Sequence, residues 1–99
     1  MDIQNESAVF DEEPLSLEQM SMRCMVSRDW VIEHVEAGVL QVEGVAFEQW
    51  SFNARQLLRA RRLLETERRF EANPELAGLV VDLMDELNRL RAQLRRPRR

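Results

Sequence analysis

Residues 16–38 read SLEQMSMRCMVSRDWVIEHVEAG, and the placement of the small polar residues in that stretch decides the fold. Ser16 stands before Leu17-Glu18-Gln19-Met20, with Gln19 three residues on as a capping-box partner. The serine hydroxyl can accept from the Gln19 N–H while the glutamine side chain returns to the Ser16 N–H, so a first helix starts here and is expected to run to about Cys24. Ser27 is a second N-cap, followed by Arg28-Asp29-Trp30 and by Val31 and Val35 at helical spacing. Gly38 closes this second helix from the C′ position, where the backbone turns left-handed. Two short helices a few residues apart, the second capped by Ser and closed by Gly, have the dimensions of a helix-turn-helix.

C-terminal to that unit the texture changes. Val39-Leu40-Gln41-Val42-Glu43-Gly44-Val45-Ala46-Phe47 sets β-formers around a Glu-Gly turn signal, and Trp50-Ser51-Phe52 alternates inward and outward, which predicts a small β hairpin, or wing. Leu40, Val42, Val45, Phe47, Trp50 and Phe52 are more apolar residues than a solvated ribbon needs, so several are expected to pack on the helices. Asn53 caps a third helix bearing Leu57, Leu58, Ala60, Leu63 and Leu64 and reaching about Glu71. Asn73-Pro74 then ends one helix and starts another, with Pro at N1 and Glu75 favourable to the helix dipole.

Within the fourth helix Leu76, Val80, Leu83, Leu87, Leu90 and Leu94 recur at intervals of 4, 3, 4, 3 and 4, an a/d seam flanked by Glu86, Arg89, Arg91 and Arg95. Such a seam either packs on its own chain or pairs with a second copy, and a stripe confined to a and d favours the homodimer. The expected fold is therefore mostly α. A winged helix-turn-helix unit with a small β wing spans residues 15–52, and a C-terminal helical segment of the same single domain, residues 53–96, ends in a dimerising helix pair. An acidic flexible arm, 1–14, with a brief Ala8-Val9-Phe10 patch, and a basic tail, 97–99, flank it.

Ninety-nine residues, 44% hydrophobic, supply one domain with a modest core. Cys24 is the only cysteine, which excludes an intrachain disulfide and a cysteine metal cluster within one chain. No apolar run approaches the ~18 residues that cross a bilayer, and MDIQNESAVFDEEP is acidic where a secretory signal is basic then apolar, so a soluble, cytoplasmic protein is expected. All 14 basic residues are Arg, which a GC-rich coding bias explains as readily as selection for bidentate pairing.

Charge is divided unevenly. Residues 1–50 hold 11 Asp/Glu against 2 Arg, a net of −9, whereas residues 51–99 hold 7 against 12, a net of +5. Asp29, Glu33 and Glu36, at i, i+4 and i+7, form one acidic stripe on the second helix, opposite Val31 and Val35. A recognition helix would meet the DNA major groove there, yet three carboxylates repel phosphates and no Arg, Lys, Asn or Gln stands between Asp29 and Ala37 to read a base edge. The stripe is either a solvated face or a surface for a basic partner, and the acidity of the whole N-terminal half favours the partner.

The other chemistry-bearing residues point to structure. Arg55, Arg59 and Arg62, with Arg61, Arg68 and Arg69, could hold a nucleic acid, but Arg61 can pair with Glu65, and Arg68 and Arg69 neighbour Glu65, Glu67 and Glu71. Arg95-Arg96-Pro97-Arg98-Arg99 is a purer cationic patch that also complements a helix C-terminus. His34, the only histidine, has no Ser, Cys or carboxylate arranged around it by the sequence and reads as a half-buried helix residue. Met20, Met22, Cys24 and Met25 read as adaptable packing. With three glycines and no phosphate loop, neither an enzyme nor a cofactor is expected.

The order of parts resembles the MerR-type winged helix-turn-helix family: helix, turn, a helix ending in Gly38-Val39-Leu40, a wing, Trp50-Ser51-Phe52, then helices leading to a dimerising one. DNA-binding members carry an Arg followed by aromatics shortly before that glycine, whereas this chain has Val31-Ile32-Glu33-His34-Val35, which argues against direct DNA binding. More narrowly, residues 15–96, through Gly38-Val39, Trp50-Ser51-Phe52, Pro74, Leu83-Met84-Asp85 and the leucine-rich end, are similar to the CbpM family of chaperone modulatory proteins. That resemblance implies an adaptor that binds the J-domain of a DnaJ-like cochaperone, CbpA, and inhibits it. The acidic stripe, from its charge, supplies the expected partner-binding residues, Asp29, Glu33 and Glu36. The rival readings are a MerR-like DNA-binding transcription regulator and an antitoxin-like dimer with another basic partner.

Overall fold

The structure, a computed structural model, describes residues 13–95; the Ala8-Val9-Phe10 patch, the rest of residues 1–12 and the tail 97–99 lie outside the described residues. Four α-helices are present among the described residues: α1 (Leu17–Cys24), α2 (Arg28–Glu36), α3 (Ala54–Phe70) and α4 (Pro74–Arg95).

Each helix begins where a short polar side chain can replace a missing backbone partner. Ser16 accepts from the Gln19 N–H at 3.1 Å while Gln19 Oε1 accepts from the Ser16 N–H at 2.8 Å, the full capping box. The Ser27 hydroxyl accepts from the Trp30 N–H, the Asn53 side chain from Gln56 and the Asn73 side chain from Leu76. α2 closes through Gly38 at φ +81°, with the Gly38 N–H donating to Val35 and the Val39 N–H to His34, so two orphan carbonyls are satisfied across a left-handed residue. α1 makes the same turn on Met25, at φ 59°, without the benefit of a glycine.

α3 is the spine. Its buried stripe of Leu57, Ala60 and Leu63 meets the buried face of α1, Leu17, Met20 and Cys24, on one side and α4 on the other. Leu15 and Phe52 exchange two backbone hydrogen bonds of 2.8 Å, tying the start of the helix-turn-helix to the entry of α3, and Phe52 is fully buried.

The wing differs from expectation. In place of a hairpin about Glu43-Gly44, the described residues contain two isolated antiparallel bridges, Leu15 with Phe52 and Glu43 with Ser51, and no sheet. Before the turn, the Gln41 N–H is taken by the Gln56 side chain on α3, at 2.9 Å, so the first would-be strand is tied to a helix. After it, the chain coils into a short 3-10 turn, Phe47–Gln49. Of the apolar residues expected to pack, Leu40, Trp50 and Phe52 are buried and Val42 is partly so, whereas Val45 and Phe47 remain exposed.

α4 buries side chains only in its first two turns. Ala77, Gly78 and Val81 are buried, whereas residues 82–95 are exposed without exception. Small residues let the helix approach the segment following α2: a Cβ on Gly78 would fall 2.5 Å from Val39 Cγ1 and 3.2 Å from its Cβ. Arg59 braces the same junction, donating from Nε to the Val39 carbonyl at 2.6 Å and from Nη1 to Asp82 at 2.8 Å.

Gly78→Ala is accordingly expected to destabilise the protein. The overlap with Val39 costs about 1–3 kcal/mol, against a gain of ~1 kcal/mol in helix propensity, so the thermal midpoint should fall by several degrees in a calorimetric scan.

Candidate partner-binding surface

The orientation of α2 decides what it shows to solvent. Val31 and His34 are buried on its inner face, Trp30 and Val35 are partly buried, and Asp29, Glu33 and Glu36 are all exposed. The three carboxylates therefore stand together on the outer face of the second helix of the helix-turn-helix.

What fixes that rotation is a contact with α3 that sequence reading missed. Glu67 receives the Trp30 Nε1–H at 3.2 Å on one carboxylate oxygen and contacts His34 Nε2 with the other. The His34 ring stacks on Trp30, centroids 3.6 Å apart, and its Nδ1 lies 2.6 Å from the Trp30 carbonyl. Both ring nitrogens thus face acceptors. His34 is only 1% exposed, so the expectation of a half-buried residue is corrected: the imidazole is a fully buried strut, and burial is tolerable because each polar atom is partnered.

Several arginines of α3 are engaged by protein groups, although of the six only Arg59 is partly buried and the others are exposed. Arg59 pairs with Asp82 and Arg62 with Asp85, so two residues three apart on α3 meet two residues three apart on α4 as successive rungs. Glu65 pairs with Arg69, not with Arg61, whose guanidinium reaches the Arg23 carbonyl at 3.5 Å, and Arg55 is also engaged. Exposed pairs of this kind add little stability and chiefly set register. They also occupy cations that a phosphate backbone would need.

Along α4 the seam residues Leu76, Leu83, Leu87, Leu90 and Leu94 are exposed and Val80 is partly buried; Leu83, in the middle, retains 59% of its surface. The face used within the chain is a different one, Ala77-Gly78-Val81. Leu79 and Met84 broaden the exposed apolar area, and a groove of about 220 Å³ between α3 and α4 is floored by Phe70, Val80, Val81 and Met84.

On α1, Met20 and Cys24 pack inward while Met22 and Met25 are exposed, so adaptable packing describes only half of that set. Burial pushes the Cys24 thiol up from its ordinary value, against an opposing pull from Arg61. Among the described residues no three His, Cys, Asp or Glu side chains are grouped to hold a metal ion, and no helix is long and apolar enough to cross a membrane.

A helix-turn-helix whose outer helix is acidic and which is followed by a helical pair can be set beside known proteins. The family model for MerR HTH family regulatory proteins matches residues 15–99. The chain belongs to the MerR helix-turn-helix family. Its relatives there include the chaperone modulatory protein CbpM of Pseudomonas entomophila strain L48, 32% identical over 80 residues, covering 76% of this chain and 79% of that protein. CbpM of Pseudomonas putida strain W619 is 30% identical over the same shares, and CbpM of Coxiella burnetii strain Dugway 5J108-111 is 29% identical over 82 residues, covering 83% and 77%. The chain is thus a CbpM-type member of the MerR family, and these relatives are named as modulators and regulators, not as catalysts. No solved structure matches it significantly.

Glu67→Ala would leave the buried His34 and the Trp30 indole without their shared acceptor. A loss of about 3 kcal/mol in unfolding free energy is expected in urea titration, together with a red shift of tryptophan emission as Trp30 gains water.

Proposed function

We propose that this protein is a chaperone modulator that binds the J-domain of a DnaJ-like cochaperone, CbpA, and inhibits it. The observation that carries the reading is the outer face of α2, where Asp29, Glu33 and Glu36 stand exposed at the place a DNA-reading helix would present hydrogen-bond donors to bases. The names of the CbpM relatives supply the class of partner. A J-domain presents a strongly basic helix to its Hsp70 partner, and an acidic surface covering that helix excludes the Hsp70 by competition. Complementary fields also speed encounter, since long-range attraction raises association rates while like charge rejects acidic competitors.

The protein acts in this reading as a homodimer through Leu76, Val80, Leu83, Leu87, Leu90 and Leu94, in the cytoplasm with its partner. The exposure of the seam in a single chain supports that assembly, because a row of leucines in water is stabilised by a matching row on a second helix.

A second reading, a DNA-binding regulator, draws on the family match to MerR HTH proteins. It has to use cations outside the acidic face of α2, and its signature is an affinity that falls steeply and linearly with log salt on an operator fragment. Absence of a specific gel shift at low salt removes it.

Glu33→Lys/Glu36→Lys is expected to weaken J-domain binding by tenfold or more in titration calorimetry, with an unchanged thermal midpoint; unaltered affinity would move the contact off α2. Leu87→Arg/Leu90→Arg should yield monomers by light scattering, whereas a surviving dimer would relocate the interface.

A further inference from the structure

Between Arg28 and Arg55 the chain carries five carboxylates, Asp29, Glu33, Glu36, Glu43 and Glu48, and no Arg or Lys. The last two belong to a loop that does not behave like a slack connection. Glu43 and Ser51 close it with two backbone hydrogen bonds of 3.1 and 3.0 Å. Inside, the Gln49 N–H donates to the Ala46 carbonyl and the Trp50 N–H to Phe47. Gly44, at φ +105°, lies so close to the 3-10 turn that a Cβ there would sit 2.5 Å from the Gln49 carbonyl oxygen. Phe47 meets Trp50 edge to face, centroids 4.9 Å apart, and Trp50 is buried in the core.

This well-braced loop holds Val45 outward, 94% exposed, with Phe47 beside it at 44%. A ribbon made to ride along a phosphate backbone would carry cations at its tip; this one carries an apolar pair between two carboxylates. We infer that the loop 43–51 is a second docking element for the same basic partner, with Val45 as an apolar anchor and Glu43 and Glu48 as its charged rim. The inference rests on the J-domain reading above and adds the chemistry of the second contact: a partner helix whose cations flank an exposed apolar side chain. Charge complementarity selects that occupant over an acidic or purely apolar one, and a loop already ordered loses little conformational freedom on binding.

The test uses the full-length protein and the isolated J-domain of the DnaJ-like cochaperone from the same genome. Calorimetric titrations compare wild type with Val45→Ser and Val45→Leu, each first checked for an unchanged thermal midpoint, which exposure at position 45 makes the expected result. Val45→Ser should weaken binding about tenfold, and Val45→Leu should stay within about twofold of wild type. Wild-type binding that Val45→Ser leaves intact overturns the docking role of the loop and spares the acidic stripe. Failure of wild type to bind the J-domain overturns both.

Discussion

One carboxylate, on Glu67, sets the rotation of the helix on which function is expected to reside. It reaches from α3 to take the Trp30 indole N–H and to meet the His34 ring, which is itself stacked against Trp30 and held at its other nitrogen by the Trp30 carbonyl. A nine-residue helix buried mainly through Val31 and His34, with Trp30, Ile32 and Val35 partly buried around them, has apolar contacts that alone could be met in more than one rotation. Directional hydrogen bonds from two inward residues supply the choice. The acidic residues at 29, 33 and 36 follow, because any side chains opposite a fixed inner face must point outward.

Local signals in the sequence located the helices with little error, and the reason is physical. Ser16, Ser27, Asn53 and Asn73 each cap a helix by bonding to a backbone N–H within three residues, and Gly38 closes one by adopting a backbone conformation that side chains resist. Such devices need no knowledge of the rest of the chain. The wing was less legible, since β-forming residues around Glu43-Gly44 suggest a ladder only if both flanks are free to pair, and Gln56 from a distant helix takes the N–H of Gln41. His34 and Glu67, 33 residues apart, could not be paired from sequence because their meeting depends on how α2 crosses α3. The Arg59–Asp82 and Arg62–Asp85 rungs did leave a trace, a shared spacing of three on two consecutive helices, but interleaved acids nearer in sequence concealed it.

The two halves of the charge distribution therefore differ in kind. In the C-terminal half, Arg59, Arg62, Arg69 and Arg89 are matched to carboxylates on the neighbouring helix or one turn away, which offsets part of that half's net positive charge at short range. In the α2-to-loop region the carboxylates face outward, and the single described pair involving the helix-turn-helix acids joins Glu18 of α1 to Arg28. Net charge alone, −4 for the chain, conceals this: a small total can hide one strongly polarised face.

The attachment of α4 by its first two turns has a further consequence for how order is distributed along it. Helix nucleation is the costly step, and here Ala77, Gly78 and Val81 supply a nucleus already fixed by packing against Val39 and α3. Residues 82–95 extend that nucleus into solvent, braced at their start by the Arg59–Asp82 and Arg62–Asp85 pairs, so in a single chain the free energy of local opening is expected to decline toward Arg95. The helix is in effect a cantilever: its root belongs to the folded domain, and the stiffness of its far end is set by whatever lies alongside it.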